Sequence, residues 1–538
     1  MPSLPGTARK FILFNLLLLG FLLALFFLNF YSKTMFFRPG SIHQWRQADC
    51  LSIAKNYYEE GMHFFEPKIH FQGPTGGKAV SECPILNYTA AALWKVFGEH
   101  EYIYRLLEYF LYVISAFVLF NSLLRYFRNP VLSFFVTGFY LTSPLLTYYC
   151  LNFIADVPAL SLCVISFCSF FRFYQTRKQY LFYTALITGT LAVLIKASAL
   201  TGLSLLLFFS VVDLLRLNRF FSTNALFTKR LIPALALIAS PVIIFLWYRY
   251  ALAYNDNNTN NIFLLTVLPI WNMEEAETIH NLKMLFSDMF PLFLNKPMFF
   301  LFVSLVVYVC ASFRRLDNFF KYSFAFTGLF FVFYILFFFQ VFSVHDYYLV
   351  NLMIFPVVTL ICFLSLIEGA SFIPGNKGFL VSIVSLVLLF NSFHGAAIYR
   401  LRTIEDDKMV YWFPFVSQED QKLAKYLFWY YGNNIKKLEH IEPVLRKAGI
   451  KRTDFVLSIP DGSFDISLYL MDQKGFTIAQ DHIENDSTVM ERFVPNVKYV
   501  VFSDTTLMRQ AAFRRVQSHF EPFLTSGGVK VLRSKASR

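Results

Sequence analysis

The sequence predicts an α-helical polytopic membrane protein of about eleven transmembrane helices, followed by a C-terminal soluble α/β domain. Three observations carry this. Only 15% of the residues are charged and 56% are hydrophobic, whereas soluble domains carry about 25% charged residues. The apolar residues come in blocks of about 17–22, long enough to cross a hydrocarbon core of roughly 30 Å. From about Tyr399 the pattern changes: charges of both signs appear and the apolar runs shorten to strand length. The expected division is 1–398 for the membrane part and 399–538 for the second domain.

Residues 1–10 are short and basic, and the apolar run from Phe11 to about Tyr31 lacks a small-residue cleavage site, so it reads as a retained first span. Further spans are expected at about 102–123, 131–149, 156–173, 180–196, 199–216, 231–249, 298–312, 323–341, 348–366 and 378–396. The 67 phenylalanines suit lipid-facing and interhelix packing. The net charge of +13 invites a nucleic-acid reading, but the positions of the basic residues argue against it. They sit in Arg9/Lys10, Arg125/Arg128, Arg172/Arg177/Lys178, Arg216/Arg219/Lys229/Arg230, Arg314/Arg315/Lys321 and Lys377, gaps that share one side if the spans alternate. That positive-inside pattern puts the N-terminus in the cytoplasm; an odd number of spans puts the C-terminus outside. In a bacterial inner membrane the second domain would then be periplasmic.

The first outer loop, 32–101, spends about 70 residues where a simple return would need a few, and long structured loops are usually functional. Trp45 to Glu60 reads as an amphipathic helix stopped by Gly61. Phe71–Gly77 is a loop, and Pro84 suits the first turn of a second helix running to Phe97, with Ile85, Tyr88, Ala92 and Val96 on one stripe. Both helices are expected in the interface plane. Cys50 and Cys83 share this loop, either bridged or as two free thiols. A second long outer loop, Tyr250–Lys296, begins with a polar run at Asp256–Asn261. Asn257-Asn258-Thr259 and Asn87-Tyr88-Thr89 fit the short glycosylation pattern, which occurs often by chance. In the C-terminal domain, strands are expected at Asp454–Ile459, Phe476–Ala479, Lys498–Phe502 and Val529–Leu532, with helices between them.

Several polar residues stand out against this background. Asp49 follows Arg46 by three positions, so both share one helix face; a carboxylate there is either solvated or a general base for an acceptor hydroxyl. Asp156, in Asn152–Pro158, opens the fourth span as a helix cap, a functional acid, or both. Glu82 precedes Pro84 and would cap the second loop helix, or bind a metal or a substrate hydroxyl. Lys196, between two apolar runs, either snorkels or holds a phosphate. His345 and Tyr347 in His345-Asp346-Tyr347-Tyr348 are candidate substrate contacts near the end of a span.

Together these pieces resemble the polyprenyl-phosphate-dependent glycosyltransferases of the GT-C class, in particular family 39 and the bacterial group akin to protein O-mannosyltransferases and the lipid A aminoarabinose transferase. Trp45-Arg46-Gln47-Ala48-Asp49, Glu82-x-Pro84, Ala155-Asp156-Val157-Pro158, Lys196 and His345-x-Tyr347-Tyr348-Leu349 carry the resemblance over about residues 10–400. It implies that Asp49 and Asp156 are the catalytic acids and that Glu82 is the glutamate where a divalent metal has been implicated in some members. Cys83 departs from the lysine that meets the donor phosphate in the aminoarabinose transferases, leaving that contact to Lys196 or Arg46. The family's metal-binding histidine has no clear match; His280 and His345 are candidates only. The implied activity is inverting transfer of a sugar from a polyprenyl-phosphate donor to a lipid, glycan or protein acceptor. The rival readings are a multi-pass lipid or solute transporter, disfavoured because no repeat is visible and the acids lie at span ends, and a non-catalytic scaffold.

Overall fold

The computed structural model describes residues 5–537 apart from 74–75, 222, 224, 259–262, 264–265, 370–376 and 408–415. Thr259–Asn261 of the polar run and Pro74-Thr75 of the first outer loop therefore lie outside the described residues.

Each expected span has a helix. Among the described residues, eight helices are long and apolar enough to cross a membrane: Arg9–Leu28, Glu101–Phe127, Asp156–Thr176, Ala197–Leu214, Leu231–Asn257, Asn318–Phe337, Asp346–Ile367 and Gly378–Thr403. Helices Glu275–Leu294 and Lys296–Ala311, bent by 93° at their junction, make a ninth if counted as one span. The other two expected spans are shorter, Pro130–Leu141 and Gln179–Ile195. The first ends because Pro144 cannot continue the backbone ladder: Ser143 caps a new helix, Pro144–Tyr149, by accepting from the Leu146 N–H. The second outer loop is not all irregular, since it contains the helix Glu275–Met284.

The axis of the bundle is Asp156–Thr176, whose most apolar window is 89% buried, against 17% for Arg9–Leu28. Small residues allow its neighbours to approach. A Cβ on Gly189 would stand 2.8 Å from Ser166 Oγ, and one on Gly202 would stand 3.0 Å from the Cys163 carbonyl oxygen. Close backbone approach of this kind is how helices gain packing where lipid removes the hydrophobic drive.

The first outer loop differs from its expected form. Its first helix, Gln44–Glu60, is buried on nearly every side, including Gln47, Asp49, Ser52, Lys55 and Asn56, so it is an internal strut and not an amphipathic interface helix. Polar residues line it because its partners are polar. The second, Ile85–Phe97, buries Leu86, Asn87, Ala90, Ala91 and Trp94; of the expected stripe, Ile85, Tyr88 and Ala92 are half-buried and only Val96 is exposed. Asn87 points inward and donates to the Cys50 carbonyl, so it is not presented for glycosylation. Cys50 and Cys83 are both buried and unbridged.

The C-terminal sheet runs in the order β2-β1-β3-β5-β4, formed by β1 (Val456–Ile459), β2 (Gly475–Thr477), β3 (Tyr499–Phe502), β4 (Phe520–Ser526) and β5 (Val529–Ser534). β1 pairs in parallel with β2 and β3, while β5 runs antiparallel to β3 and β4. Strand β4 was not expected: Pro522 argues against a strand, and the structure accommodates it at an irregularity between Pro522 and Leu524 on the sheet's edge.

This sheet is docked on the first outer loop. The free edge of β2 takes Phe71 as an extra bridge opposite Gly475, with Gln72 N–H donating to the Gly475 carbonyl at 2.8 Å. Arg452, held by Asp472 of its own part (2.9 Å), then reaches across to Asn56 Oδ1 (2.7 Å) and Glu60 (2.9 Å). Lys474 pairs with Glu60, and His70 Nε2 lies 3.2 Å from Asp472. Covering an open edge and satisfying its backbone groups makes the two parts one body at this face.

Candidate active site

The polar residues singled out in the sequence converge at one end of the bundle. Ser81 and Glu82 are placed by a backbone bond, Cys83 N–H to the Leu194 carbonyl at 3.0 Å, which ties the first outer loop to the end of helix Gln179–Ile195. Lys196 is the next residue but one. Its ammonium lies 2.8 Å from Glu82 Oε1 and 3.4 Å from Asp156 Oδ2, and 5.4 and 5.7 Å from the ring centres of Tyr347 and Tyr348. From the other side, Arg46 pairs with Glu82 and donates to Ser81 Oγ at 3.1 Å, while its guanidinium covers the ring of Phe263 at 5.1 Å. Glu82 thus sits between two cations. Burial alone would push its carboxyl up, but Arg46 and Lys196 hold it well below the usual carboxylate range.

The simpler roles weighed for these residues do not describe them. Glu82 turns its carboxylate to Arg46, Ser81 and Lys196, away from a capping role. Asp156 is the first residue of its helix, fully buried, and turns its carboxylate to Lys196 instead of capping. Lys196 is paired with two acids, not snorkelling to water. A metal on Glu82 would have to compete with the partners that the carboxylate already has. Its oxygens face Arg46, Ser81 and Lys196, a setting that repels a further cation, and among the described residues no three His, Cys, Asp or Glu side chains form a metal cradle. His280 lies exposed on the helix Glu275–Met284.

Asp49 stands one turn from Arg46 and is 7% exposed. Burial pushes its carboxyl up to about 7; Arg46 opposes the shift, and Glu82 and Asp461 add to it. Next to it, Trp45 stacks on His345 with ring centres 5.8 Å apart, and His345 lies 5.3 Å from His43. Asp346 anchors this corner through His43 (3.2 Å), Arg402 (2.9 Å) and Tyr149. A cavity of about 20 Å³, lined by Arg46, Cys50, Glu82, Cys83, Ala155 and Ile195, has room for about one water.

Sequence reasoning missed four contributors: Phe263, Arg402, Asp461 and Asp465. The first two had no distinguishing pattern. Asp461-Gly462-Ser463-x-Asp465 carries a turn signature, but only the docking of the C-terminal sheet brings it to the helix of Asp49.

No family model matches the chain, and no curated protein matches it by sequence. Solved structures do match. ArnT from Cupriavidus metallidurans in the apo state aligns over 99% of this chain and 99% of its own, at 11% identity and a TM-score of 0.55. The same protein bound to undecaprenyl phosphate aligns over 97% of this chain and 98% of its own, again at 11% identity and 0.55. An oligosaccharyltransferase from Archaeoglobus fulgidus, tethered with an acceptor peptide, covers 86% of this chain and 65% of its own at 13% identity and 0.49. The full-length likeness to ArnT is one of fold, and it establishes that this multi-pass membrane chain has the GT-C fold.

Proposed function

We propose that the protein is an inverting glycosyltransferase of a bacterial inner membrane, moving a sugar from a polyprenyl-phosphate donor to an acceptor hydroxyl on the periplasmic side. The observation that carries this reading is the convergence of Arg46 and Lys196 on one carboxylate beside a second, separately placed acid, Asp49. Two buried cations held at one point suit a phosphate, which is doubly anionic as it leaves. Glu82 marks that point when no donor is present, and Asp156 fixes Lys196 from behind. ArnT with bound undecaprenyl phosphate shows a polyprenyl phosphate on a protein of this fold. Tyr347 and His345 border the same space and would meet the sugar.

In the proposed reaction the acceptor oxygen bonds to the anomeric carbon from the side opposite the phosphate, and the bond from that carbon to the phosphate oxygen breaks. The electron pair leaves with the phosphate, toward Arg46 and Lys196, and the acceptor proton passes to Asp49. A base titrating at about 7 is well matched to this task at neutral pH.

The test is transfer by purified protein from a polyprenyl-phosphate sugar, with the sugar and acceptor found by mass spectrometry of lipids, glycans and surface proteins in a deletion strain. Asp49→Asn should lower turnover by about 10²–10⁴-fold without loss of folded protein. Because the base must be ionised, kcat/KM of the wild type should fall about tenfold per pH unit below its acid limb near pH 7. Substantial turnover by Asp49→Asn would remove it from the reaction.

A further inference from the structure

The C-terminal part of the chain places a second carboxyl against the helix that carries Asp49. Asp465 ends the loop from Pro460 and is fully buried. The loop is rigid. Asp461 accepts from Ser463 N–H (2.8 Å), Ser463 O–H (2.6 Å) and Ser467 N–H (2.8 Å), and Ser463 Oγ accepts from the N–H groups of Asp465 (3.2 Å) and Ile466 (2.9 Å). Asp465 Oδ1 accepts from the Phe71 N–H at 3.0 Å. Its Oδ2 is buried with no hydrogen-bond partner among the described residues.

The helix that follows, Ile466–Leu470, packs on Gln44–Glu60. Asp49 and Ser52, three residues apart, share one face of that helix. Burial and Asp49, its foremost charged neighbour, push the Asp465 carboxyl up, while the Ser52 hydroxyl on the same face and the Phe71 N–H oppose them and are outweighed. The other ionisable groups here relieve the pair only in part: Arg46 favours the ionised form of Asp49 but is shared with Glu82. His70, hydrogen-bonded to Ser52 Oγ at 2.6 Å, is brought down to about 4 by burial and so is neutral at working pH. Arg46 is drawn to Glu82, and Asp461 is a third acid. Two buried carboxyls whose one neighbouring cation is already paired with a third acid do not both ionise readily.

We propose that Asp465 is a positioning residue for Asp49, and that the two carboxyls share one proton, with the Asp465 O–H turned toward an Asp49 oxygen. This deepens the glycosyltransferase reading and rests on it: the C-terminal part completes the setting of the base. The pair holds one proton before transfer and two after it, and the acceptor's proton is the one gained. Above the pH at which the second proton leaves, Asp465 no longer donates and the pair repels itself, so turnover should show an alkaline limb as well as an acid one.

The experiment compares wild type, Asp465→Ala and Asp465→Asn. Ala should lower kcat by about 10–10²-fold with the donor KM within about twofold. Asn, which keeps a neutral donor and can still accept from Phe71, should recover part of that loss and lack the alkaline limb. A kcat for Asp465→Ala within about threefold of wild type would overturn the proposal. So would equal losses in both variants with wild-type-shaped pH profiles, the signature of a purely structural role.

Melting curves without substrate give a second readout. Carboxyls raised by burial hold protons that the unfolded chain releases at lower pH, so their contribution to stability is complete below the unfolded pKa and is lost as pH rises through the folded one. The wild-type Tm should therefore fall as the pH rises from about 4 through about 7, more steeply than that of Asp465→Asn. Parallel curves would overturn the shared proton. If wild type transfers no sugar from any polyprenyl-phosphate donor, the proposed function fails, and the melting curves still decide the pair.

Discussion

At the scale of single residues, the site is built by charge neutralisation in a dry place. Glu82 is the hinge of the arrangement, because it satisfies Arg46 and Lys196 together. Removing one partner from a buried ion pair leaves an uncompensated charge and typically costs on the order of 3 kcal/mol or more. Glu82→Gln should therefore lower the Tm of the donor-free protein, and a polyprenyl phosphate should restore more stability to this variant than to wild type. Equal ligand-induced shifts would argue against the phosphate taking the place that Glu82 marks. Lys196→Ala separates binding from chemistry. If Lys196 meets the phosphate in ground and transition states alike, donor KM rises; if it also meets the developing charge, kcat falls as well. Steady-state kinetics with donor and acceptor varied in turn distinguish these outcomes, and unchanged donor parameters would move the phosphate contact to Arg46.

At the scale of elements, the sequence pattern was legible where one solvent dominates and obscure where two elements share a buried polar seam. Spans such as Leu231–Asn257 face lipid and stand out by composition alone. The helix Gln44–Glu60 was placed correctly by its Gly61 stop, at φ +100°, yet its surroundings were misread. Polar side chains looked like a wet face, whereas they meet Arg452, Asp472 and Asp465 of a segment some 400 positions away. Gly475 lies at the centre of that seam. A Cβ there would stand 1.9 Å from the Val456 carbonyl oxygen, and its own N–H and carbonyl bond to His70 and Gln72. Gly475→Ala should push β2 off β1 and loosen the docked loop, at a cost of about 1–3 kcal/mol. The expected outcome is faster proteolysis within the first outer loop and reduced turnover; a wild-type digestion pattern would show that the seam tolerates the change.

At the scale of the whole molecule, the site collects residues from every turn at one end of the bundle. Asp49 and Glu82 come from the first outer loop, Asp156 and Lys196 from the next two turns, Phe263 from the second long loop, and Tyr347 from the turn after it. The basic gaps lie at the opposite end. If the positive-inside rule orients this chain, an alkaline phosphatase fusion after Arg538 should be active in the periplasm and one at Arg219 should not. Activity at Arg219 instead would place the site in the cytoplasm and remove the proposed face.

The membrane class, the run of about eleven apolar segments and the small α/β part could be read along the chain, and Arg46, Asp49, Glu82, Asp156, Lys196, His345 and Tyr347 stood out there as worth attention. They did so because a charge beside a bilayer is rare enough to be noticed singly. Only the tertiary structure decided what those charges do. It paired Glu82 with two cations, set Asp156 behind Lys196, and brought Asp465 to the helix of Asp49. None of these follows from spacing along the chain, because electrostatic partners in a low-dielectric site are fixed by distances of a few ångströms between segments that the fold alone brings together.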